Sequence, residues 1–409
     1  MGLRILMLAW EYPPRLVGGL ARVVCAVSRE LVRQGHEVHV ITSNFEGTDE
    51  HSLDQGVHVH RVKTQTGPTG LDMETPDFLT WDARLNFGIL QYAIKLQLQQ
   101  PFDIVHAHDW LVADAGWVMK SFGVPMISTI HATEFGRNHQ SIPNPNSKYI
   151  DDIEWRLIYE SGHVIVNSKH MHREVVDHFH APADKVSVIP NGIEPNRLKC
   201  DAGKFELREK HGLGDGPMIL FVGRLVQEKG IQVLLDATPR ILEKHPDATI
   251  MVAGTGYFEA DLKGKVAALE IGNNVRFFGH ADDKSLPELY KMADICVVPS
   301  LYEPFGIVAL EGMAASLPTV TSDNGGLTDI IQHMENGLTT FAGDSGSLAW
   351  GLLQVLDSPE LAEKVGKRAR SHVLEHYSWE AITSKTVAAY EDVIEKSKLP
   401  RDISGETPE

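Results

Sequence analysis

The chain has 409 residues, 43% of them hydrophobic and 23% charged, with 55 acidic against 38 basic side chains and a formal net charge of −17. That length exceeds one ordinary core and fits two domains of about 200 residues each. The acidic balance, with no Lys/Arg run, excludes a nucleic-acid groove or a polybasic lipid patch, and no span reaches the ~18 apolar residues of a membrane helix.

The first residues, Met1 to Trp10, hold a short apolar run closed by Glu11, with no small-residue cleavage site after it. They read as a first buried strand rather than a signal peptide. Cys25, Cys200 and Cys296 lie far apart with no Cys-x-x-Cys pair. Free thiols in a reducing compartment follow, and so a cytoplasmic protein.

After the first strand, a helical pattern runs from about Ala21 to Gln34, Gly35 stops it, and Glu37 to Thr42 makes a second strand. This is a βαβ unit and predicts a parallel sheet. Gly18 and Gly19 stand at the helix entrance, where main chain can approach a ligand phosphate. They are not the full Gly-x-Gly-x-x-Gly fingerprint, and a plain turn explains them equally well. Val57 to Val62 reads as a short strand and Leu85 to Gln99 as a helix.

Phe102 to Trp110 then runs from a strand into a polar end. His106 and His108 share one face of that extended segment, but a metal site would need a third ligand and none is evident nearby. Asp109 and Trp110 lie at the strand's carboxyl end, where open α/β sheets bind ligands. The strand Met126 to Ile130 ends in His131, again at a carboxyl end, where a core histidine is less expected. Asn138 to Lys148 is polar, contains Pro143 and Pro145, and reads as a mobile loop suited to cover an acceptor. Trp155 to Glu160 is a helix, Val164 to Val166 a strand and Lys169 to Phe179 a helix. Val186 to Glu194 closes this half with a strand and the turn Pro190-Asn191-Gly192.

Asn196 to Gly216 is a polar connection carrying a short helix, Lys204 to His211. A new strand starts at Met218, and Arg224 and Lys229 follow its carboxyl end. Two cations there, in an acidic protein, can neutralise a diphosphate leaving group, although two solvated side chains would look the same. Ile231 to Lys244 is a helix, Ala248 to Ala253 a strand ending at Gly254, Val275 to His280 a strand, and Leu286 to Met292 a helix.

Ile295 to Val298 is a β-branched run and reads as a buried strand; Ile307 to Ala315 has helical spacing. Between them Glu303-Pro304-Phe305-Gly306 is a tight turn, with Pro304 fixing one φ and Gly306 letting backbone approach a ligand. A helix starting near Phe305 would aim the N–H groups of Gly306, Ile307 and Val308 outward, an anion site suited to phosphate. Glu303 stands before that site and Glu311 two turns inside the helix. Carboxylates so placed make sense as acceptors for sugar hydroxyls; a helix-start Glu and a solvent-face Glu are the plainer alternative. Beyond lie a strand at Thr319 to Thr321, a Gly325-Gly326 turn, helices at Leu348 to Leu356 and Glu360 to Tyr377, and an amphipathic pattern from Trp379 to Lys396. Leu399 to Glu409 is polar and reads as a disordered tail.

Glu-Pro-Phe-Gly-Ile-Val at 303–308, with Glu311 eight residues after Glu303, resembles the signature of retaining GT-B glycosyltransferases of the GT4 family, the nucleotide-sugar enzymes of the glycogen synthase type. The resemblance covers essentially the whole chain. Gly223-Arg224-Leu225 with Lys229 matches the family's phosphate pair, and His106-Ala107-His108-Asp109-Trp110 reads as its counterpart segment. His131 matches the histidine facing the transferred sugar, and Asn191 an asparagine at the cleft mouth; Gly254 and Phe305 are counted with the donor-binding positions. Gly18-Gly19-Leu20 resembles the glycogen synthase N-terminal loop. That loop carries a Lys where this chain has Leu16, with Arg15 next to it.

The resemblance implies an α/β protein of GT-B architecture, two Rossmann-like doubly wound domains facing a cleft. Residues 1–195 form the acceptor side and 196–377 the nucleotide-sugar side. Residues 378–398 form a helix crossing back, and 399–409 a tail. It implies retaining transfer of a hexose, glucose, from ADP- or UDP-glucose to an α-1,4-glucan. In that reading Arg224, Lys229 and the N–H groups of Gly306 to Val308 stabilise the leaving diphosphate. Glu303 holds sugar hydroxyls, Glu311 the ribose diol, and His131 and Asp109 orient the sugar. No nucleophile with a supporting base stands out, which favours same-face attack. No Asp-x-Asp motif is present, so neither metal nor another cofactor is expected. The donor base (ADP, UDP or GDP) and the oligomeric state stay open. A small or phosphorylated acceptor, as in sucrose-phosphate synthases, is the alternative, and a lipid-linked one is disfavoured for want of a basic amphipathic helix. From other classes, a non-catalytic sugar-nucleotide-binding protein or a sugar-nucleotide 2-epimerase has the same fold.

Overall fold

The computed structural model describes residues 2–45, 47–64 and 76–398, so the expected tail at 399–409 lies outside the described residues. The chain divides into two compact units. The first takes the chain up to Val166, His172–Ile189 and the last helix from Glu380; the second takes Asn167–Met171 and Pro190–Trp379. Asn191, expected at the close of the first half, belongs to the second unit.

The first unit runs β1 (Arg4–Leu8), α1 (Leu20–Arg33), β2 (Glu37–Ser43), β3 (His51–Asp54), β4 (Val57–Val62), α2 (Pro76–Gln99), β5 (Ile104–His108), α3 (Ala113–Ser121), β6 (Met126–Ile130), α4 (Glu134–Arg137), α5 (Pro145–Glu160), β7 (His163–Val166), α6 (Lys169–Phe179) and β8 (Val186–Val188). Among the described residues its sheet holds eight strands in the order β3-β4-β2-β1-β5-β6-β7-β8. All pairings are parallel except the β3–β4 hairpin. β1 is buried along its whole length, as a central parallel strand covered on both faces must be. It has β2 on one side and β5 on the other, so the winding reverses there, and ligands of such sheets sit at the carboxyl ends beside that reversal.

The second unit runs α7 (Lys204–Lys210), β9 (Met218–Val222), α8 (Ile231–Leu242), β10 (Thr249–Ala253), α9 (Glu259–Ala268), β11 (Val275–Gly279), α10 (Ser285–Met292), β12 (Ile295–Val298), α11 (Ile307–Ala314), β13 (Thr319–Ser322), α12 (Leu327–Ile330), β14 (Leu338–Thr340), α13 (Ser345–Leu356) and α14 (Pro359–His376). Its parallel sheet has the order β11-β10-β9-β12-β13-β14 and reverses between β9 and β12. Alternation along β9 sends Met218 and Leu220 into one hydrophobic layer and Ile219 and Phe221 into the other. Each such fully buried side chain contributes roughly 1.5–3 kcal/mol.

The last helix, α15 (Trp379–Lys398), returns to the first unit. Its Tyr390 is fully buried, its hydroxyl 2.7 Å from His106 Nδ1 and 3.7 Å from Met7 Sδ. Among the described residues no helix is long and apolar enough to cross a membrane.

Some elements differ from expectation. The loop predicted over 138–148 ends at Asn144, whose side chain accepts from Ser147 N (2.9 Å) while Pro145 opens α5. Pro143 and Pro145 therefore flank a helix start, because proline at the first helical position loses no hydrogen bond. α2 begins at Pro76, earlier than expected. α9 was not expected: it buries only Leu262 and Val266, too few to print a period. α11 begins at Ile307 rather than at Phe305.

Candidate active site

The sheet reversal of the second unit brings together the loops that follow β9 and β12. Lys229 Nζ donates to Glu303 Oε2 at 2.8 Å, and the Ser300 hydroxyl donates to the same oxygen at 3.0 Å. The two charged side chains are 21% and 12% exposed, shielded enough for the attraction to count yet open to a ligand. Arg224 follows the same strand, 44% exposed and 3.7 Å from Glu228, a screened pair of little worth that leaves the guanidinium available.

Backbone contacts hold these loops. The Glu228 carbonyl accepts from Leu301 N (2.7 Å) and Tyr302 N (3.2 Å). Gly230, at φ +71°, lies so near the next loop that a Cβ would stand 1.8 Å from the Pro299 oxygen. Gly325, at φ +60°, would place a Cβ 2.1 Å from the Glu303 oxygen, and Gly326 N donates to that oxygen at 2.8 Å. Gly325-Gly326, expected as a plain turn, is thus the clamp on the Glu303 loop. Gly254 closes β10 with its N–H on the Gly279 oxygen at 2.7 Å.

Gly306 caps α11 at φ +113°. The N–H groups of Gly306, Ile307 and Val308 find no acceptor among the described residues, so the start of α11, with its helix dipole, can receive an anion. Phe305 is a core side chain, its ring 6.3 Å from that of Tyr377, and holds the turn from below. Glu311 is not a solvent-face residue: it is buried, with Tyr290 Oη donating to Oε2 (2.9 Å) and Arg197 Nη1 to Oε1 (3.3 Å). Burial pushes its carboxyl up and Arg197 opposes that. Arg197 stands 114 residues from Glu311, a separation at which no spacing pattern signals a partner. Asn191 is buried in the turn before Ile193, which pairs with Ser378.

In the first unit, Gly18 and Gly19 are exposed at the entrance of α1. The buried carboxylate of Glu11 accepts from Val17 N (2.6 Å), Gly18 N (3.3 Å) and Ala21 N (3.3 Å). Gly18's donor, expected to face a phosphate, is therefore engaged by the protein's own anion. Burial raises the Glu11 carboxyl above the usual range, and the three N–H groups oppose it.

Asp109 adopts φ +63°, ψ 173°, a conformation costly for any residue with a side chain. Its Oδ1 accepts from His131 N at 2.7 Å and its own N–H donates to Thr129 O at 3.0 Å, so it braces the ends of β5 and β6. Trp110 is buried and packs edge-on to Phe78. His131 Nε2 lies 3.1 Å from His108 Nδ1, and the two rings stack. Burial holds His108 neutral, its pKa well below the ordinary value, and takes His106 down to about 3. His106 spends both ring nitrogens, on Tyr390 Oη and Thr129 Oγ1. Among the described residues no group of three or more His, Cys, Asp or Glu could hold a metal ion.

Beyond His131, Thr133 Oγ1 caps the single turn α4 by accepting from Gly136 N at 2.9 Å. Glu154 of α5, also buried, takes the N–H of Glu134 with both oxygens, at 3.0 and 2.9 Å. The Glu134 carboxylate accepts from Asn138, Ser147 and Arg137. Sequence reasoning missed this network, whose members look like ordinary helix polars. The second unit thus brings two cations, a carboxylate and a helix end to one sheet reversal. The first holds a histidine whose N–H is braced by Asp109.

Comparison with known proteins defines the class. A model of Glycosyltransferase Family 4 matches residues 17–197, and one of Glycosyl transferases group 1 matches residues 203–372. An uncharacterized glycosyltransferase of Methanocaldococcus jannaschii is 39% identical, over 96% of this chain and 99% of its own. The glycogen synthase of Mycobacterium tuberculosis is 33% identical over 95% and 94%. The structure of sucrose-phosphate synthase from Thermosynechococcus elongatus matches with a TM-score of 0.83 at 24% identity, covering 96% of this chain and all (100%) of that one. The chain is a glycosyltransferase. It belongs to the family that joins these two models, and its two Rossmann-like units are those of the GT-B fold.

Proposed function

We propose that this glycosyltransferase moves glucose, with retention of configuration, from ADP- or UDP-glucose to an α-1,4-glucan. The observation that carries the reading is the Lys229–Glu303 pair at the sheet reversal, set beside the three N–H groups of Gly306 to Val308. The 33% identity with a glycogen synthase along 95% of the chain supports the choice of acceptor.

In this reading the bond from the sugar's anomeric carbon to the diphosphate breaks as the acceptor oxygen attacks the same face. The acceptor's proton passes to the departing phosphate oxygen. Lys229, Arg224 and the helix end stabilise the charge that grows on the diphosphate, the largest electrostatic contribution. Lys229 has three N–H donors and spends one on Glu303, so it can bridge carboxylate and phosphate. Glu303 Oε1 is left for a sugar hydroxyl. These positive groups do the work a metal does elsewhere, and the mechanism needs none. His131 serves the transferred sugar as a hydrogen-bonding group, and Asp109 serves it indirectly through the His131 backbone. Glu311, buried with Tyr290 and Arg197, presents one edge to the ribose diol. The protein acts in the cytoplasm, where its free cysteines stay reduced.

The test is nucleoside diphosphate release from ADP-, UDP- and GDP-glucose, with and without maltooligosaccharide or fructose 6-phosphate. Release raised by maltooligosaccharide, with longer glucans formed, is the expected result. Lys229→Ala and Glu303→Ala should each lower kcat at least about 100-fold. Wild-type turnover in either variant overturns the mechanism. Release only with fructose 6-phosphate overturns the glucan acceptor, donor turnover without any acceptor favours epimerase chemistry, and no release with any pair favours a binding role.

A further inference from the structure

The segment from His131 to Glu134 links the end of β6 to α4, a helix of only four residues that cannot stand by itself. Two carboxylates from different elements grip its backbone. Asp109, on the loop after β5, takes the N–H of His131 at 2.7 Å. Glu154, on α5, takes the N–H of Glu134 with both oxygens at 3.0 and 2.9 Å. α5 adds a second grip about two turns earlier on the same face, where the Ser147 hydroxyl donates to Glu134 Oε1 at 2.8 Å. Thr133 is held between its own cap on Gly136 N and the Glu174 carboxylate.

We infer that Glu154 is a positioning residue for His131, acting through the N–H of Glu134 to set where the imidazole stands. The inference rests on the reading of His131 as a group that touches the transferred sugar. With the loop pinned at both ends, the residues between have no slack, and His131 is further fixed by His108 at 3.1 Å. Releasing the Glu134 N–H removes the main-chain grip at that end and leaves only side-chain contacts, Ser147 on the Glu134 carboxylate and Thr133 on Glu174, to place α4 against the Asp109 contact. What the site asks of Glu154 is an acceptor oxygen, not a charge. Burial raises its carboxyl well above the usual range, against the opposing pull of Arg137, which fits that demand.

The experiment is steady-state kinetics on the full chain for Glu154→Ala, Glu154→Gln, Glu154→Asp, His131→Ala and the double variant His131→Ala/Glu154→Ala, with circular dichroism and melting to verify folding. Glu154→Ala should lower kcat about 30- to 100-fold with the donor KM moved less than about 3-fold, since a displacement near 1 Å costs turnover before affinity. Glu154→Gln, which keeps an acceptor oxygen, should recover most of that loss. Glu154→Asp, whose oxygens are withdrawn by one methylene, should fall between. The double variant should be no slower than His131→Ala, because residues acting as a unit are not additive. Losses that multiply in the double variant, or a Gln variant as slow as the Ala variant, overturn the inference. If Glu154→Ala does not fold, the Gln and Asp variants decide: wild-type turnover in Asp, or slow turnover in Gln, overturns it. His131→Ala with wild-type turnover overturns the underlying reading of His131. An inactive His131→Ala beside fully active Glu154 variants overturns the present inference alone.

Discussion

Each unit gathers two loops at the reversal of a parallel sheet, but they hold those loops with different material. In the second unit the grip is main chain on main chain: Gly230 under Pro299, Gly325 and Gly326 under Glu303 and Pro304. In the first it is side chain on main chain: Glu11 on the entrance of α1, Asp109 on His131, Glu154 on Glu134. Two carboxylates show a second contrast: the second unit surrounds Asp294 with Lys204, Arg208 and the N–H of Met218, whereas buried Asp82 in the first has, among the described residues, Asn86 as its donor. Glycine contacts tolerate no atom and so cannot be relaxed; side-chain braces can be shortened or neutralised by degrees.

The sharpest way to break that contrast is Gly230→Ala. With a Cβ facing an oxygen at 1.8 Å and a positive φ, it should cost the second unit more than about 3 kcal/mol in urea unfolding. Gly212→Ala, also at positive φ but with nothing within 4 Å, should cost only about 1–2 kcal/mol. Equal losses would show that the close contact is not what matters.

Next in size is a pair of opposite sign. Burial, reinforced by Asp114, pushes the Asp82 carboxyl up to about 8, so between its ordinary value and 8 the folded chain carries a proton that the unfolded chain lacks. Stability from this group therefore falls as pH rises through that window, by up to about 1.4 kcal/mol per pH unit. Asp82→Asn should remove the slope and leave the first unit more stable than wild type near pH 8. Asp294 is desolvated by burial, but Lys204, Arg208 and the Met218 N–H outweigh this and hold its carboxyl below the ordinary value. Its contribution is present above that value and lost as pH falls through the lowered one. Asp294→Asn should destabilise the second unit by roughly 1–3 kcal/mol at neutral pH, with the gap closing in acid. Denaturant midpoints at pH 3, 6 and 8 check both, and two variants of the same sign would sink the comparison.

The smallest effect expected is that of Glu11→Ala. It strips the acceptor from three N–H groups that water can partly satisfy at an exposed loop, and should cost the first unit about 1 kcal/mol. Hydrogen exchange at Val17, Gly18 and Ala21 would report it, and unchanged protection there would show that the carboxylate does not hold the loop.

The same division decides what was legible in the sequence. Glu303-Pro304-Phe305-Gly306 and Arg224 with Lys229 are local runs at strand ends, so their positions could be read from spacing. The strand pattern likewise exposed two parallel α/β halves. The braces could not be read. Asp109 and His131 are 22 residues apart, Glu134 and Glu154 20, Glu311 and Arg197 114, and although Asp109, His131 and Glu311 stood out singly, no spacing pattern joins any of them to its partner. Phe305, read as lining a ligand, lies in the core, because the turn that aims Gly306 outward turns its neighbour inward. Pro143 and Pro145, read as loop, announce α5, because proline breaks helices only after their first turn.

One feature of the chain path bears on how the protein is made. The second unit is almost wholly contiguous, Pro190 to Trp379, and its two ends meet where Ile193 pairs with Ser378. The first unit lacks Tyr390, the partner of His106, until the last helix has been synthesised. On the ribosome the later-born unit can therefore finish its core first, while the earlier-born one waits for α15. A nonsense codon just after Trp379 would spare the second unit and leave the first, though fully translated up to its last helix, without its closing piece.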